Sequence, residues 1–267
     1  MPCKQATGTM RFSRLPRLVT ATLAIFFALA TVAPLPFAIV LPGEAQNILK
    51  GVITIKDLKN YPSNGRVDLM SIRVTNPDTW IFGPELIYSW ISGDHAVYPK
   101  SAIYPPGTSA EEESKQAKAD MVTSQDTAII AAVKYLQSNP EIMTTASASG
   151  GAQAVELDSK KIKFKTGETG GPSGGLVFSI GLVELLTELD LLQGRHIAGT
   201  GTITARGLVG PIGGINEKVL SARKVGATIF FAPVDNAEDL GEVPKGIKVV
   251  TVATLAQAIN YLERTRK

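Results

Sequence analysis

Beyond residue 42 the chain alternates between short runs rich in Val, Ile and aromatic residues and longer stretches whose apolar positions return every three or four residues. The first kind reads as strand, the second as amphipathic helix. Residues 51–57 and 66–75 are predicted strands, and Tyr61-Pro62-Ser63-Asn64-Gly65 supplies a turn expected to pair them as a hairpin. The aromatic-rich region from Trp80 to Ile91 is expected to pack in the core. Thr108 and Ser109, with Glu111, Glu112 and Glu113 behind them, form a helix start. Met121, Gln125, Ala128, Ile129, Ala132, Val133 and Leu136 then mark an amphipathic helix, followed by a Ser/Ala/Gly-rich stretch, 137–153, predicted to be a flexible loop. Strands are expected at 161–165, 197–206, 228–234 and 247–252. Helices are expected after Ser173, at 215–225 (closed by Gly226) and at 255–262. Strands alternating with helices predict an α/β or α+β domain over 42–267.

The N-terminal part follows another pattern. Lys4, Arg11, Arg14 and Arg17 abut an uncharged apolar stretch, 18–41, long enough to cross a bilayer, since about 20 residues suffice. The expectation is a cytoplasmic basic tail at 1–17, a single-pass anchor at 18–41 and a domain held outside the cytoplasm at the cell membrane. A cleaved signal peptide ending at Ala28-Leu29-Ala30 is the competing reading; the apolar residues continuing through Val32, Phe37, Ile39 and Val40 favour the anchor. A net charge of +3, partly confined to the tail, does not mark a nucleic-acid binder. The sole cysteine, Cys3, leaves the domain without a thiol nucleophile or a cysteine metal site.

Candidate chemistry concentrates at Gly170-Gly171-Pro172-Ser173-Gly174-Gly175. A serine between a short strand and an apolar helix, flanked by residues of little bulk, lies where backbone N–H groups and the helix start favour negative charge. A plain N-cap serine is the bland alternative. A second group lies in the 215–225 helix, where a step of about 100° per residue puts Lys218 on the face of Ile215, Val219, Ala222 and Val225, with Glu217, Arg223 and Lys224 pointing elsewhere. An amine on a buried stripe loses hydration and is pushed toward its neutral, basic form, whereas a snorkelling lysine would keep its charge in water. His95 and His196 sit beside turn residues and give no support for a histidine triad.

These residues, followed by Gly199-Thr200-Gly201-Thr202 and by Gly207-Leu208-Val209-Gly210-Pro211-Ile212-Gly213-Gly214-Ile215-Asn216-Glu217-Lys218, resemble the proteolytic domain of Lon proteases, most closely the membrane-anchored, ATP-independent Lon-like proteases that usually carry a PDZ domain. The resemblance is strong over 163–236 and extends to Ala102-Ile103-Tyr104-Pro105-Pro106-Gly107 and Ser124-Gln125-Asp126. It implies a Lon-type fold and a serine endopeptidase acting on unfolded or membrane-proximal proteins, with Ser173 as nucleophile and Lys218 as general base. It further implies that Thr200 orients the lysine and that the backbone around Gly171, Pro172 and Ser173 supports the oxyanion. No metal or other cofactor is implied, and relatives suggest a homo-oligomer.

Two departures stand out: 137–160 has no room for a PDZ module, and Gly170 occupies a position where many Lon enzymes carry an acid. No Walker A order of Gly-Lys-Ser/Thr is present. The alternatives are a membrane-anchored interaction domain without activity and a phosphate-binding enzyme using Ser173, Lys218 and Glu168.

Overall fold

The computed structural model describes residues 16–56, 59–142, 161–167 and 169–266. Its elements, in chain order, are α1 (Arg17–Val32), β1 (Phe37–Asn47), β2 (Ile53–Ile55), β3 (Arg66–Val74), α2 (Gly83–Ile91), β4 (Ala96–Pro99), α3 (Lys100–Ile103), α4 (Ala110–Ser138), β5 (Ile162–Phe164), α5 (Gly175–Leu186), β6 (His196–Gly199), β7 (Thr202–Ile203), β8 (Val209–Gly210), α6 (Ile215–Lys224), β9 (Ile229–Pro233), β10 (Lys248–Val252) and α7 (Leu255–Arg264). Six strands form one sheet in the order β10-β9-β6-β3-β1-β4. β3, β6, β9 and β10 run parallel, while β1 and β4 are antiparallel to their neighbours.

Helices cover both faces of the sheet, so its central strands are apolar without strict alternation. Val67 and Leu69 of β3, with Ile197 and Phe231, join the core made with α4, α5 and α7; Met70, Ala198 and Phe230 face the other way, into the cluster with Ile215, Val219 and Ala222 of α6. This mixed α/β arrangement agrees with the predicted fold class. α4 begins as expected, with Ser109 and Glu112 in a reciprocal capping box, and continues unbroken to Ser138, merging the two stretches that the sequence separates. Of the predicted 137–153 loop, Gln137 and Ser138 are helical, Pro140–Ile142 is a 3-10 turn, and 143–153 lies outside the described residues.

Three expectations are corrected. The predicted 18–41 membrane span is not one helix: α1 stops at Val32, and Phe37 opens the longest strand of the sheet. Pro34 and Pro36 break the helix, and Ala38, Ile39 and Val40 are buried by the fold itself. At 16 residues α1 measures roughly 24 Å, against about 30 Å of hydrocarbon. No helix among the described residues is long and apolar enough to cross a membrane.

The 51–57/66–75 hairpin does not form either. β3 pairs with β1 and β6, while β2 pairs with β5, far along the chain. The antiparallel partner of β3 is β1, which begins inside the apolar run expected in lipid.

Finally, the aromatic region is a helix that the fold leaves largely uncovered. Ile81 is buried, but Trp80, Tyr88, Trp90 and Ile91 are exposed, Trp90 at 82%.

Candidate active site

Ser173 sits on a turn fixed from two directions. On one side α4 holds it: Gly171 N–H donates to Ala117 O at 2.7 Å and Ser124 Oγ donates to Pro172 O at 2.9 Å. On the other side Ser173 O accepts from Gly201 N–H at 2.8 Å and from Thr200 Oγ1 at 3.1 Å. The glycines permit this closeness. A Cβ on Gly170 would lie 2.7 Å from Ala117 Cβ, so no acidic side chain fits at that position without displacing α4; Gly171 has φ +89°.

The amine arrives from α6, whose entry uses a left-handed Gly214 (φ +66°) packed under Ile72. Lys218 is 2% exposed. Its Nζ lies 3.1 Å from Ser173 Oγ and 3.3 Å from Thr200 Oγ1. Burial pushes the amine down to about 8, the neighbouring Glu217 carboxylate opposing this by a smaller amount.

The hydrogen-bond inventory then fixes directions. The Thr200 hydroxyl donates its proton to Ser173 O, so only its lone pairs face Lys218. As an ammonium, Lys218 donates to both hydroxyls. As a neutral amine with one N–H on Thr200, it turns its lone pair to Ser173 and accepts the Oγ–H.

The structure therefore brings together Ser173, Lys218 and Thr200. It uses the other two predicted support residues differently: Gly171 N–H is engaged by Ala117 and Pro172 has no N–H, so both shape the turn rather than offer donors. Among the described residues the N–H groups of Ser173 and Gly174, at the mouth of α5, have no acceptor; Ser173 lines both cavities beside the pair, whereas Gly174 is buried against Phe178 and Leu69.

Glu168 lies outside the described residues. His196 Nε2 is paired with the buried Asp68 at 2.7 Å, with Arg66 on the same carboxylate, and His95 lies 3.7 Å from Asp94. Neither histidine lines the cavities around Ser173. Ser124 and Ala117 are positioning residues for which sequence reasoning assigned no role. Their signal is small residues seven apart on α4, on the face that packs against the nucleophile turn.

Cavities of about 560 and 580 Å3 open beside the pair, both lined by Ser173, Lys218, Gly170 and Ile72. The two cavities meet at Ser173 and Lys218.

A model of the Lon protease (S16) C-terminal proteolytic domain matches residues 127–263, just over half of the chain and inclusive of Ser173, Thr200 and Lys218. This chain belongs to the Lon proteolytic-domain family. It is similar to the Lon protease of Heliobacterium modesticaldum (42% identity over 78 residues, 29% of this chain and 9% of the relative) and to Lon protease 1 of Bacillus subtilis (41% over 78 residues, 29% and 10%). A longer match, 32% over 135 residues (48% of this chain and 16% of the relative), is to Lon protease homolog 2, peroxisomal, of Bos taurus. The chain spans about a tenth of the length of the first two. Within the family framework, Lys218 and Ser173 sit on the two Gly-rich motifs, each ending in a helix start, that the sequence singles out.

Proposed function

We propose that this domain is a serine endopeptidase with a Ser-Lys dyad. The observation that carries the reading is the buried Lys218 Nζ at 3.1 Å from Ser173 Oγ. A serine hydroxyl is a poor nucleophile until a base takes its proton, and an amine held near 8 by desolvation does so around neutral pH. Ser173 Oγ attacks the peptide carbonyl as its proton moves to Lys218 Nζ. The Ser173 N–H group and the α5 N-terminus stabilise the oxyanion. Lys218 then gives its proton to the departing amine; a water molecule, deprotonated by the now neutral Lys218 Nζ, attacks the acyl carbonyl, and the proton returns to Ser173 Oγ as the ester bond breaks. Thr200 keeps the lone pair of Lys218 aimed at Ser173.

Unfolded polypeptides are the substrate class proposed, since an extended backbone suits two cavities that meet at Ser173. Cleavage is proposed to need no nucleotide, since attack by Ser173 and proton transfer through Lys218 consume none. Family membership supports a homo-oligomer. The exposed apolar α1, with Trp80, Tyr88 and Trp90 of the neighbouring α2 region also exposed, supports a position against a lipid bilayer.

The test is cleavage of a permanently unfolded polypeptide without ATP. Ser173→Ala and Lys218→Ala should each lower the rate by at least about 10³-fold while keeping the melting transition. A variant cleaving at the wild-type rate contradicts the dyad.

A further inference from the structure

A third cavity, about 400 Å3, lies behind the catalytic cleft and shares Ile72, Ile212 and Gly213 with the one that holds Ser173. Its walls are apolar: Val40, Val74, Ile103 and Ile215 contribute to them. Its polar part is acidic. Glu217 lines it from the first turn of α6, Asp239 stands at the rim, and no Lys or Arg is among the lining residues.

Glu217 is the unusual member. It is 6% exposed and lines the cavity, and among the described residues no hydrogen bond or salt bridge engages its carboxylate, whose nearest named charge is Lys218. The sequence pattern places it off the apolar stripe of α6; there Ile72 and Gly214 close over it, one carboxylate oxygen lying 3.5 Å from the position a Gly214 Cβ would take. Asp239 Oδ2 accepts from Asn236 Nδ2 at 2.9 Å, and the Tyr98 hydroxyl, also in the cavity, is raised by burial and then by the charges of Glu217 and Asp239. A carboxylate at an apolar wall, with no cation among the residues lining its cavity, carries an electrostatic cost. An incoming cation that reaches it relieves that cost, and an aliphatic stem suits the walls that lead there.

We propose that this cavity is a specificity subsite that takes a lysine or arginine side chain of the substrate, its stem along Ile103 and Ile215 and its cation on Glu217, with Asp239 at the entrance. The assignment rests on the peptidase reading for the identity of its occupant, since the shared wall of Ile72, Ile212 and Gly213 places the side chain next to the bond at Ser173.

Two measurements test it. The first is cleavage of fluorogenic peptides identical except for Lys, Arg, Leu or Glu at one residue on each side of the scissile bond. Wild type should favour Lys or Arg over Leu at one of these positions by about tenfold or more in kcat/KM, and Glu217→Gln should erase that preference, with Asp239→Asn reducing it less. Equal rates for Lys and Leu, or a preference that survives Glu217→Gln in a protein that melts like wild type, overturn the subsite and leave the dyad standing. The second is calorimetric titration of Ser173→Ala with N-acetyl-lysine amide and N-acetyl-norleucine amide. Binding of the lysine compound alone, lost on adding Glu217→Gln, supports the subsite even where no peptide is cleaved, an outcome that sinks the peptidase reading instead. Equal binding of both compounds, or of neither, overturns the subsite.

Discussion

α1 and α5 are both dominated by apolar residues, and the fold treats them in opposite ways. Every residue of α5, Gly175 to Leu186, is buried, whereas no described residue of α1 is. The visible sequence difference is glycine. α5 carries Gly175 and Gly181 where neighbouring chains come close: a Cβ at Gly175 would lie 2.7 Å from Ile203 Cγ2 and 3.0 Å from Ile203 N, and one at Gly181 would lie 2.4 Å from Ile48 Cδ1. α1 contains no glycine and lines its surface with Phe26, Phe27, Leu29 and Val32, all exposed. An all-apolar helix announces that it is covered by something. Glycines at the points of approach say that the cover is protein.

The comparison breaks most sharply at Gly175. Gly175→Val drives a branched side chain into the backbone of β7, which also carries the strands leading to Gly201 and its bond to Ser173. The expected loss is about 2–3 kcal/mol in chemical denaturation, together with peptidase activity. Unchanged stability would mean that the packing around α5 is slack.

A smaller effect is expected at Glu184, the one acid inside α5. Its carboxylate accepts from Leu191 N–H at 3.0 Å, and burial pushes it up to about 7. Because the folded state holds the proton more tightly than the unfolded chain, stability is fully present below about 4.5 and is lost as pH rises toward about 7. Glu184→Gln does not titrate, so its advantage over wild type should grow between pH 5 and pH 8, by about 2 kcal/mol. A pH-independent difference would contradict the assignment.

The smallest effect on stability belongs to α1. Phe26→Ser combined with Phe27→Ser should change unfolding by no more than about 0.5 kcal/mol, since neither ring is buried. The same pair should lose co-sedimentation with phospholipid vesicles. Retained sedimentation would remove α1 as the lipid contact.

Sequence legibility divides along similar lines. α5, α6 and α7, the Ser173 turn and Lys218 were readable because each couples a local signal, such as glycine spacing or a 3.6-residue stripe, to a local structure. β1 was not readable, because an apolar run of 18–41 has the same composition in lipid and in a sheet, and only Pro34 and Pro36 divide it. The pairing of β2 with β5, more than 100 residues away, carries no local signal, and the proximity of Tyr61-Pro62 to β3 suggested the wrong partner. Helical periodicity places Glu217 off the apolar stripe because it describes one helix; Ile72 of β3 and the Gly214 turn cover what the wheel leaves open. The distance between Ser173 and Lys218 was likewise beyond sequence, being set by Thr200 and the tight Gly201 turn between them.

Proposed catalysis depends on Lys218 losing its proton next to Ser173, and the pH dependence of kcat/KM for a peptide substrate reads that event in the free enzyme. The predicted profile rises about tenfold per pH unit and levels off above an apparent pKa near 8, following the desolvated amine. A rise already complete by about pH 6.5, in the range of a histidine base, would contradict it.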